Sequence, residues 1–473
     1  MLVHALEYLI VTACALLLHA ILPRRHGWVG FVVAGAAFLG FVGPRDLAVA
    51  LLLTAVNWAA AIGIDKWAET PRGSWILFAT VGFDVVALAL YKFGYLLVPH
   101  VPALRPLFGA SATGGVLVPL GISYYAFQLV GYCLEVHWGR GPVERNPGKL
   151  AASVLFFPKL VSGPIERPHH FLPQLDGAPR DRLLDFREGL ARVAWGACKK
   201  AVIADRIAMM IDPVYRHPDA YGGLTIVVAI ALYTVQVYTD FSGYTDIALG
   251  TARLFGVELQ PNFDRPFSSK SITEFWRRWH ISLSSWTSDY VYRPLSIFIS
   301  LNTRWKRAGL VAAILVTFAV LGVWHGASWT FIAFGLIHGV AVSFEAVTQK
   351  VSILPRSLPA TWADRIRNAL TVGFYSLSCT FFRASSVGDA LTLLRRAFTR
   401  VQARAVIDFF NGSKWEILLF VAAGATMLVA RWLLARAPSG EARWWRVPVH
   451  AALAGVLIVC GVFEATTFVY VQF

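Results

Sequence analysis

Long apolar segments separated by short polar turns run along almost the whole chain. Because a helix that crosses a bilayer needs about 20 apolar residues, this pattern predicts 10 to 12 transmembrane helices. They are expected at residues 5–22, 28–43, 46–64, 74–98, 115–137, 189–211, 222–250, 308–323, 328–347, 367–383, 414–435 and 447–464. A shorter apolar stretch, 150–163, is typical of a segment that enters the membrane without crossing it. No polar linker divides the chain, so we predict an all-α polytopic membrane protein with a single embedded domain over residues 1–473.

Composition supports lipid as the solvent of this chain. Hydrophobic residues make up 56% of it and charged residues only 15%, whereas a soluble domain has roughly 25% charged residues. The net charge of +15 would suit a nucleic-acid partner if the basic residues formed a stripe with aromatics on a soluble domain. They lie instead in short loops, so we expect membrane lipid and no nucleic acid.

The basic loops alternate along the first half of the chain. Arg24 and Arg25 follow the first predicted span, and Lys66 and Arg72 follow the third, whereas the loops between are poorer in positive charge. Cytoplasmic loops carry the excess of Lys and Arg. The pattern therefore predicts that the N-terminus lies outside the cytoplasm.

Metal and disulfide chemistry are not expected. The five cysteines are scattered through apolar segments without a Cys-x-x-Cys pair, which is typical of small buried apolar residues. His338 lies 13 residues after His325, off-phase for one helical face, and we identify no ligand-spaced partner for it. We therefore predict no metal site.

One histidine lies inside an apolar segment, in Leu321-Gly-Val-Trp-His-Gly-Ala-Ser-Trp329. An ionisable side chain is costly there and indicates function by default. Gly322 and Gly326 would let another backbone or a substrate approach His325 closely, and Trp324 and Trp329 would supply flat apolar walls and indole donors. A neutral imidazole could take the proton of a hydroxyl that attacks a thioester carbonyl. The residues alone leave open a core histidine that is hydrogen-bonded between helices.

A second histidine closes the motif Glu274-Phe-Trp-Arg-Arg-Trp-His280. On a helix, Glu274 and Arg278 would form an i,i+4 ion pair, and Trp276 and His280 would share one face. Arg277 and Arg278 could meet the phosphates of coenzyme A or phosphopantetheine. They would equally suit an interfacial helix whose arginines reach lipid headgroups. We expect His280 to position substrate or to act as a second catalytic residue.

Other polar motifs interrupt the apolar pattern. Asp240, in Tyr238-Thr-Asp-Phe-Ser-Gly-Tyr-Thr-Asp246, could orient an imidazole or pair with an arginine, or it could belong to polar packing at a helix break. Ser123 and Gln128 lie in an apolar span and indicate a polar lining.

Charged pairs occur within the predicted span 189–211. Lys199-Lys200 and Asp205-Arg206 are typical of charges at helix ends. We therefore expect them to have no part in a site.

Taken in order, these motifs resemble the membrane-bound O-acyltransferase family, and more closely its bacterial alginate O-acetyltransferase branch. The similarity covers most of the chain. It extends to Leu120–Gln128, Leu160–Arg167, Ala197–Asp205, Asn262-Phe-Asp-Arg-Pro-Phe267, Phe381–Ala384 and the terminal Phe468–Phe473.

The resemblance implies a fold and a reaction. His325 matches the principal catalytic histidine of the family, His280 matches its second histidine, and Asn262 lies in a supporting motif. The implied fold is a ring of helices around a central tunnel in the bacterial inner membrane, where the N-terminus that the basic loops place outside the cytoplasm would be periplasmic. The implied donor is acetyl-coenzyme A or an acyl-carrier thioester from the cytoplasm, with no tightly bound cofactor. The implied acceptor is a hydroxyl of an extracellular or cell-wall polysaccharide, such as an alginate-like exopolysaccharide, reached through a periplasmic acetyltransferase partner.

Two alternatives remain from the sequence. The first is transfer of D-alanyl or another acyl group from a carrier protein to a wall polymer. The second is a transporter or scaffold without chemistry. A transporter would predict inverted repeats, and we identify none.

Overall fold

The protein is described here by a computed structural model that covers residues 5–97, 118–176, 182–303, 305–326, 328–348, 355, 358–399, 414–435 and 446–462. Each of the twelve predicted spans falls on helix. The first residues of the predicted span 115–137, the last of 74–98 and 447–464, and the motif at 468–473 lie outside the described residues.

Helices account for nearly all of the described secondary structure, as predicted for an all-α membrane protein. The α-helices are α1 Ala5–Ile21, α2 Gly27–Val42, α3 Pro44–Lys66, α4 Pro71–Leu97, α5 Ile122–His137, α6 Pro147–Leu155, α7 Phe157–Leu160, α8 Pro168–Phe171, α9 Arg182–Ala197, α10 Asp205–Arg216, α11 Gly223–Leu254, α12 Ile272–Arg278, α13 Ile281–Thr287, α14 Arg293–Asn302, α15 Lys306–His325, α16 Trp329–Thr348, α17 Ala360–Arg383, α18 Val387–Thr399, α19 Lys414–Ala435 and α20 Arg446–Cys460.

Five helices in the described part of the chain are long and apolar enough to cross a bilayer, and they are α3, α4, α11, α15 and α16. Shorter apolar helices include Glu7–Ile21, Gly27–Val42 and Ala451–Cys460. Each of these five helices is long enough to cross the hydrocarbon core of a bilayer. The chain is therefore a polytopic membrane protein.

The described helices form two compact units. The first comprises Met1–Leu190 and Ala248–Gln260, and the second comprises Ala191–Ile247 and Pro261–Phe473. The core of the first unit is a cluster of aromatic rings that includes Phe31, Phe156 and Phe255, with centroids 4.9–6.3 Å apart.

The apolar stretch 150–163 is interrupted within the first unit. Helix α6 ends at Leu155, Phe156 is extended, and α7 begins at Phe157. Pro158 explains the break, because proline has no N–H to donate to the preceding turn.

In the second unit, the segment predicted as one span over 189–211 is not a regular helix. Residues Cys198–Ala204 between α9 and α10 form a π-helix. Lys200 and Asp205 are five residues apart, the spacing of neighbours in a π-helix, and they form an ion pair of 2.6 Å. The prediction of helix-end charges here is therefore wrong, because Lys200 and Asp205 are buried within this continuous helical segment.

Helices α15 and α16, also in the second unit, form a tightly packed pair. A Cβ on Gly322 would lie 2.5 Å from the carbonyl oxygen of Phe331, and one on Gly335 would lie 2.3 Å from that of Phe318. Only glycine permits so close an approach of two backbones. The close approach predicted at Gly322 is thus confirmed, and it brings one end of α16 beside His325.

Candidate active site

The two histidines singled out in the sequence line one narrow cavity in the second unit. Its free volume is about 10 Å³, the room for about one water molecule. Its walls are mainly aromatic and are formed by Val237, Trp276, Trp279, His280, His325, Phe334, Tyr375, Cys379 and Phe382. A site of this size admits a small acyl group only with some movement of the walls.

His325 is the last residue of α15 and is only 4% exposed. Its ring lies 5.0 Å from that of Phe382 and 6.2 Å from that of Phe331, measured between centroids. Trp324 contacts both histidines, with its ring centroid 5.0 Å from His325 and 5.8 Å from His280. Trp324 therefore lies beside both imidazoles, although it is not among the residues that line the cavity. Trp329 is 77% exposed, so the prediction of a second tryptophan wall is wrong.

His280 occupies the turn between α12 and α13. Helix α12 ends at Arg278, and His280 adopts left-handed backbone angles, with φ 44° and ψ 53°. Left-handed geometry is uncommon for residues other than glycine, although histidine is among those that tolerate it. The prediction that Trp276 and His280 share a helical face is wrong, because the helix stops before His280. They reach one cavity because the turn redirects the chain.

Asn262 secures the turn that carries His280. Its backbone oxygen accepts a hydrogen bond from the N–H of Ile281 at 2.9 Å. Its side-chain oxygen accepts from the hydroxyl of Ser282 at 2.6 Å, and its amide donates to Thr245 of α11 at 3.4 Å. Asn262 is completely buried. It is thus placed to hold the backbone of His280 rather than to line the cavity.

Burial determines the protonation of His280, which lies outside the five long apolar helices. It is 1% exposed, and burial lowers its pKa to about 3, because an imidazolium loses the solvation that water provides. The ring is therefore neutral at physiological pH, the form in which an imidazole can accept a proton or a hydrogen bond.

The arginines of α12 face away from the cavity. Arg278 pairs with Glu274 at 2.9 Å, which confirms the predicted i,i+4 ion pair. Arg277 is exposed. An exposed guanidinium can meet either the phosphates of a donor or lipid headgroups.

Asp240 belongs to a different buried cluster of the second unit. Its carboxylate pairs with Lys200 at 2.7 Å, a lysine rather than the imidazole or arginine considered from the sequence. The alternative of a helix break is wrong as well, since α11 runs without interruption from Gly223 to Leu254.

Ser123 and Gln128 lie in the first unit, on α5. Gln128 donates to the hydroxyl of Ser153 at 2.7 Å and accepts from the ammonium of Lys159. Ser123 is half-buried in the first turn of α5. Neither residue is among those that line the histidine cavity.

Two helical stripes that line or flank the cavity were missed in the sequence, and in the first of them only Phe334 lines it. Phe331, Phe334 and His338 follow one another at spacings of three and four residues on α16, and Tyr375, Cys379 and Phe382 do so on α17. Such spacing places side chains on one helical face. It would have indicated these faces, although not that they meet His325.

A metal ion has no evident place here. Within the described ranges, no group of three or more His, Cys, Asp or Glu side chains could hold one.

Comparisons with known proteins point to acyl transfer. The sequence model of the MBOAT family, the membrane-bound O-acyltransferases, matches residues 149–384. This range contains both histidines. The chain is 36% identical to the probable alginate O-acetylase of Azotobacter vinelandii over 73% of its own length and 68% of that protein. It is 31% identical to the peptidoglycan O-acetyltransferase of Helicobacter pylori, over 59% of the chain and 56% of the relative. It is 34% identical to the teichoic acid D-alanyltransferase of Streptococcus thermophilus, over 49% of the chain and 58% of the relative.

The helices and these relatives together define a membrane-embedded acyltransferase. The chain belongs to the membrane-bound O-acyltransferase family, and its resemblance to the alginate O-acetylase branch is confirmed by relatives at 33–39% identity. The alternative of a transporter or scaffold without chemistry is therefore set aside.

Proposed function

We propose that this enzyme moves an acetyl group from a cytoplasmic thioester toward a hydroxyl of an extracellular polysaccharide. Both compact units would be parts of one domain in the bacterial inner membrane, with a periplasmic N-terminus. The observation that carries the proposal is that His325 and His280, from separate elements, line one narrow aromatic cavity. The donor would be acetyl-coenzyme A or an acyl-carrier thioester, and a periplasmic acetyltransferase partner would complete the delivery.

In this proposal His325 is the general base. Its imidazole takes the proton of the attacking hydroxyl while the oxygen forms a bond to the thioester carbonyl carbon. The carbon–sulfur bond then breaks, and the departing thiolate receives the proton. His280 is neutral at this point and would orient the hydroxyl or the carbonyl. The aromatic walls exclude water, which would otherwise hydrolyse the thioester.

The chemistry of the cavity favours acetyl over D-alanyl. A D-alanyl group carries an ammonium, and burying an unpaired charge is costly. Among the described residues that line the cavity, none is Asp or Glu. An uncharged acetyl group needs no such partner. The D-alanyltransferases among the relatives nevertheless make that donor a necessary arm of the test.

The test is transfer of labelled acetyl in membranes that contain the wild type, His325→Ala or the matched control His217→Ala. His217 is an exposed histidine at the end of α10. We expect label from acetyl-coenzyme A or an acetylated carrier to reach the polysaccharide fraction with the wild type and His217→Ala. A loss of at least about 100-fold is expected with His325→Ala. Equal transfer by a folded His325→Ala would overturn the mechanism, and transfer from a D-alanyl carrier alone would overturn the choice of acyl group.

A further inference from the structure

One wall of the cavity is held by a hydrogen-bonded chain that starts at Trp276. The indole N–H of Trp276 donates to Nδ1 of His338 at 3.2 Å, and Nε2 of His338 lies 2.9 Å from the hydroxyl oxygen of Ser378. That hydroxyl donates to the backbone carbonyl of Tyr375 at 2.7 Å. The chain therefore begins and ends on residues that line the cavity, Trp276 and Tyr375.

The direction of every hydrogen bond in this chain is determined. An indole nitrogen can only donate, so Nδ1 of His338 must be the acceptor and carry no proton. His338 is then neutral, with its proton on Nε2, and donates to Ser378. The hydroxyl proton of Ser378 is left for Tyr375. A single tautomer of His338 thus satisfies three donors in succession.

This series of hydrogen bonds joins three helices of the second unit. Trp276 is on α12, His338 on α16, and Ser378 and Tyr375 on α17. His338 is completely buried, and its ring packs 4.6 Å from that of Phe334, another wall of the cavity. The position of the Trp276 ring therefore depends on a side chain that is not itself among those lining the cavity.

We propose that His338 is a positioning residue that fixes Trp276 against the cavity and so restricts the transferred acyl group to a short chain. This inference rests on the acyl transfer proposed above. A wall that is bonded at the indole nitrogen cannot swing aside to admit a longer chain without breaking that bond. The small free volume beside His280 and His325, about 10 Å³, is the consequence.

Three variants separate positioning from general packing. His338→Leu removes both hydrogen-bonding groups, whereas the amide of His338→Gln can accept from Trp276 and donate to Ser378. Trp276→Phe removes the N–H and retains an aromatic ring, and it serves if His338→Leu does not fold. The measurement is the ratio of kcat/KM for acetyl-coenzyme A to that for butyryl-coenzyme A, or for the two carrier thioesters if the carrier is the donor.

We expect His338→Leu and Trp276→Phe to reduce the acetyl preference at least tenfold, and His338→Gln to retain it. An unchanged ratio in His338→Leu and Trp276→Phe, with equal loss on both donors, would overturn the proposal, since it would show packing alone.

A second measurement does not depend on acyl transfer. Cys379 lines the same cavity, and its modification by methyl and benzyl methanethiosulfonate can be read from its own peptide by mass spectrometry. We expect the benzyl reagent to modify Cys379 at least tenfold faster in His338→Leu than in the wild type or His338→Gln. If the wild type transferred no acyl group, the proposed function would fail, yet this labelling would still support or overturn the positioning of Trp276. Equal labelling in all variants would overturn it.

Discussion

Two buried clusters of the second unit contain ionisable side chains, and their surroundings differ. Around His280 and His325 the neighbours are aromatic rings, such as Phe241 at 4.6 Å from His280 and Phe382 at 5.0 Å from His325. Around Lys200 the neighbours are carboxylates, Asp205 at 2.6 Å and Asp240 at 2.7 Å. Burial holds the His280 imidazole neutral, because a charged ring loses the solvation that water provides. The Lys200 ammonium instead lies between two carboxylates.

The difference indicates which cluster is suited to chemistry. A neutral imidazole can take a proton during a reaction. The Lys200 ammonium already forms ion pairs with two carboxylates, and removing its proton would leave these buried carboxylates without a counter-charge. We therefore expect the histidine cavity to perform the transfer and the Lys200 cluster to join the π-helix to α11. Gly196 and Gly243 support this role, because a Cβ on Gly196 would lie 2.4 Å from the carbonyl oxygen of Gly243.

The largest expected effect tests the charged cluster. Lys200→Met removes the shared cation and leaves Asp205 and Asp240 buried without it, which should destabilise the protein by about 3–5 kcal/mol. Thermal unfolding in detergent would measure the change. The variant Lys200→Met with both carboxylates changed to amides should recover much of the loss. If Lys200→Met unfolded like the wild type but lost transfer, the assignment of roles to the two clusters would be reversed.

The next effect tests the histidine turn. We expect His280→Asn to lower acetyl transfer about 100-fold, because the second imidazole is lost. Asparagine tolerates left-handed backbone geometry, so its thermal unfolding should remain close to that of the wild type. His280→Ala should lose transfer to a similar extent and also lose stability. Full activity in His280→Asn would show that only the shape of the turn matters.

A smaller effect is expected from the residue that holds this turn. Asn262→Ala removes the bonds to Ser282 and Thr245 and should cost about 1–3 kcal/mol of stability, because buried partners are left unsatisfied. Transfer should fall about tenfold through displacement of His280. Thermal unfolding and transfer kinetics of Asn262→Ala would measure the two losses. Ser123→Ala, a variant in the first unit, would be the control. Comparable losses in the two variants would contradict a specific role for Asn262.

The smallest effect concerns pH. The pKa of His280 is lowered to about 3 by burial, whereas an unfolded histidine titrates near 6.5. Between these values the unfolded state binds about one more proton than the folded state, so stability falls as the pH falls from about 6.5 toward 3. The unfolding free energy of His280→Asn should therefore depend less steeply on pH over this range, by the equivalent of about one bound proton. An identical slope in both proteins would mean that His280 is protonated in the folded state.

The hydrophobic pattern of the sequence predicted the positions of helices well where each helix is a continuous apolar segment. Apolar segments predicted α1 to α4, α11, α15 and α16 to within a few residues, because lipid demands continuous apolar helices regardless of their neighbours. It was less informative where side chains from distant segments meet. Lys200, in the π-helix at Cys198–Ala204, pairs with Asp240, which is far along the chain, and no local pattern predicts that ion pair.

The candidate site divides in the same way. His325 and His280 stood out in the sequence, since ionisable residues beside tryptophan in apolar surroundings are unusual. Asn262 was noticed only as part of a motif, and His338 was set aside because it is off-phase with His325. The structure gives His338 a partner on another helix, Trp276.

By itself the sequence determined that the protein spans a membrane, that it belongs to a family of acyltransferases and that two histidines were the residues to examine. These properties follow from local hydropathy and from motifs that are contiguous in the chain. Only the tertiary structure decided that the helix ends before His280, that Lys200 is committed to two carboxylates and that Trp276 is held by His338. Those features depend on contacts between residues distant in sequence, where burial and hydrogen bonding override local propensity.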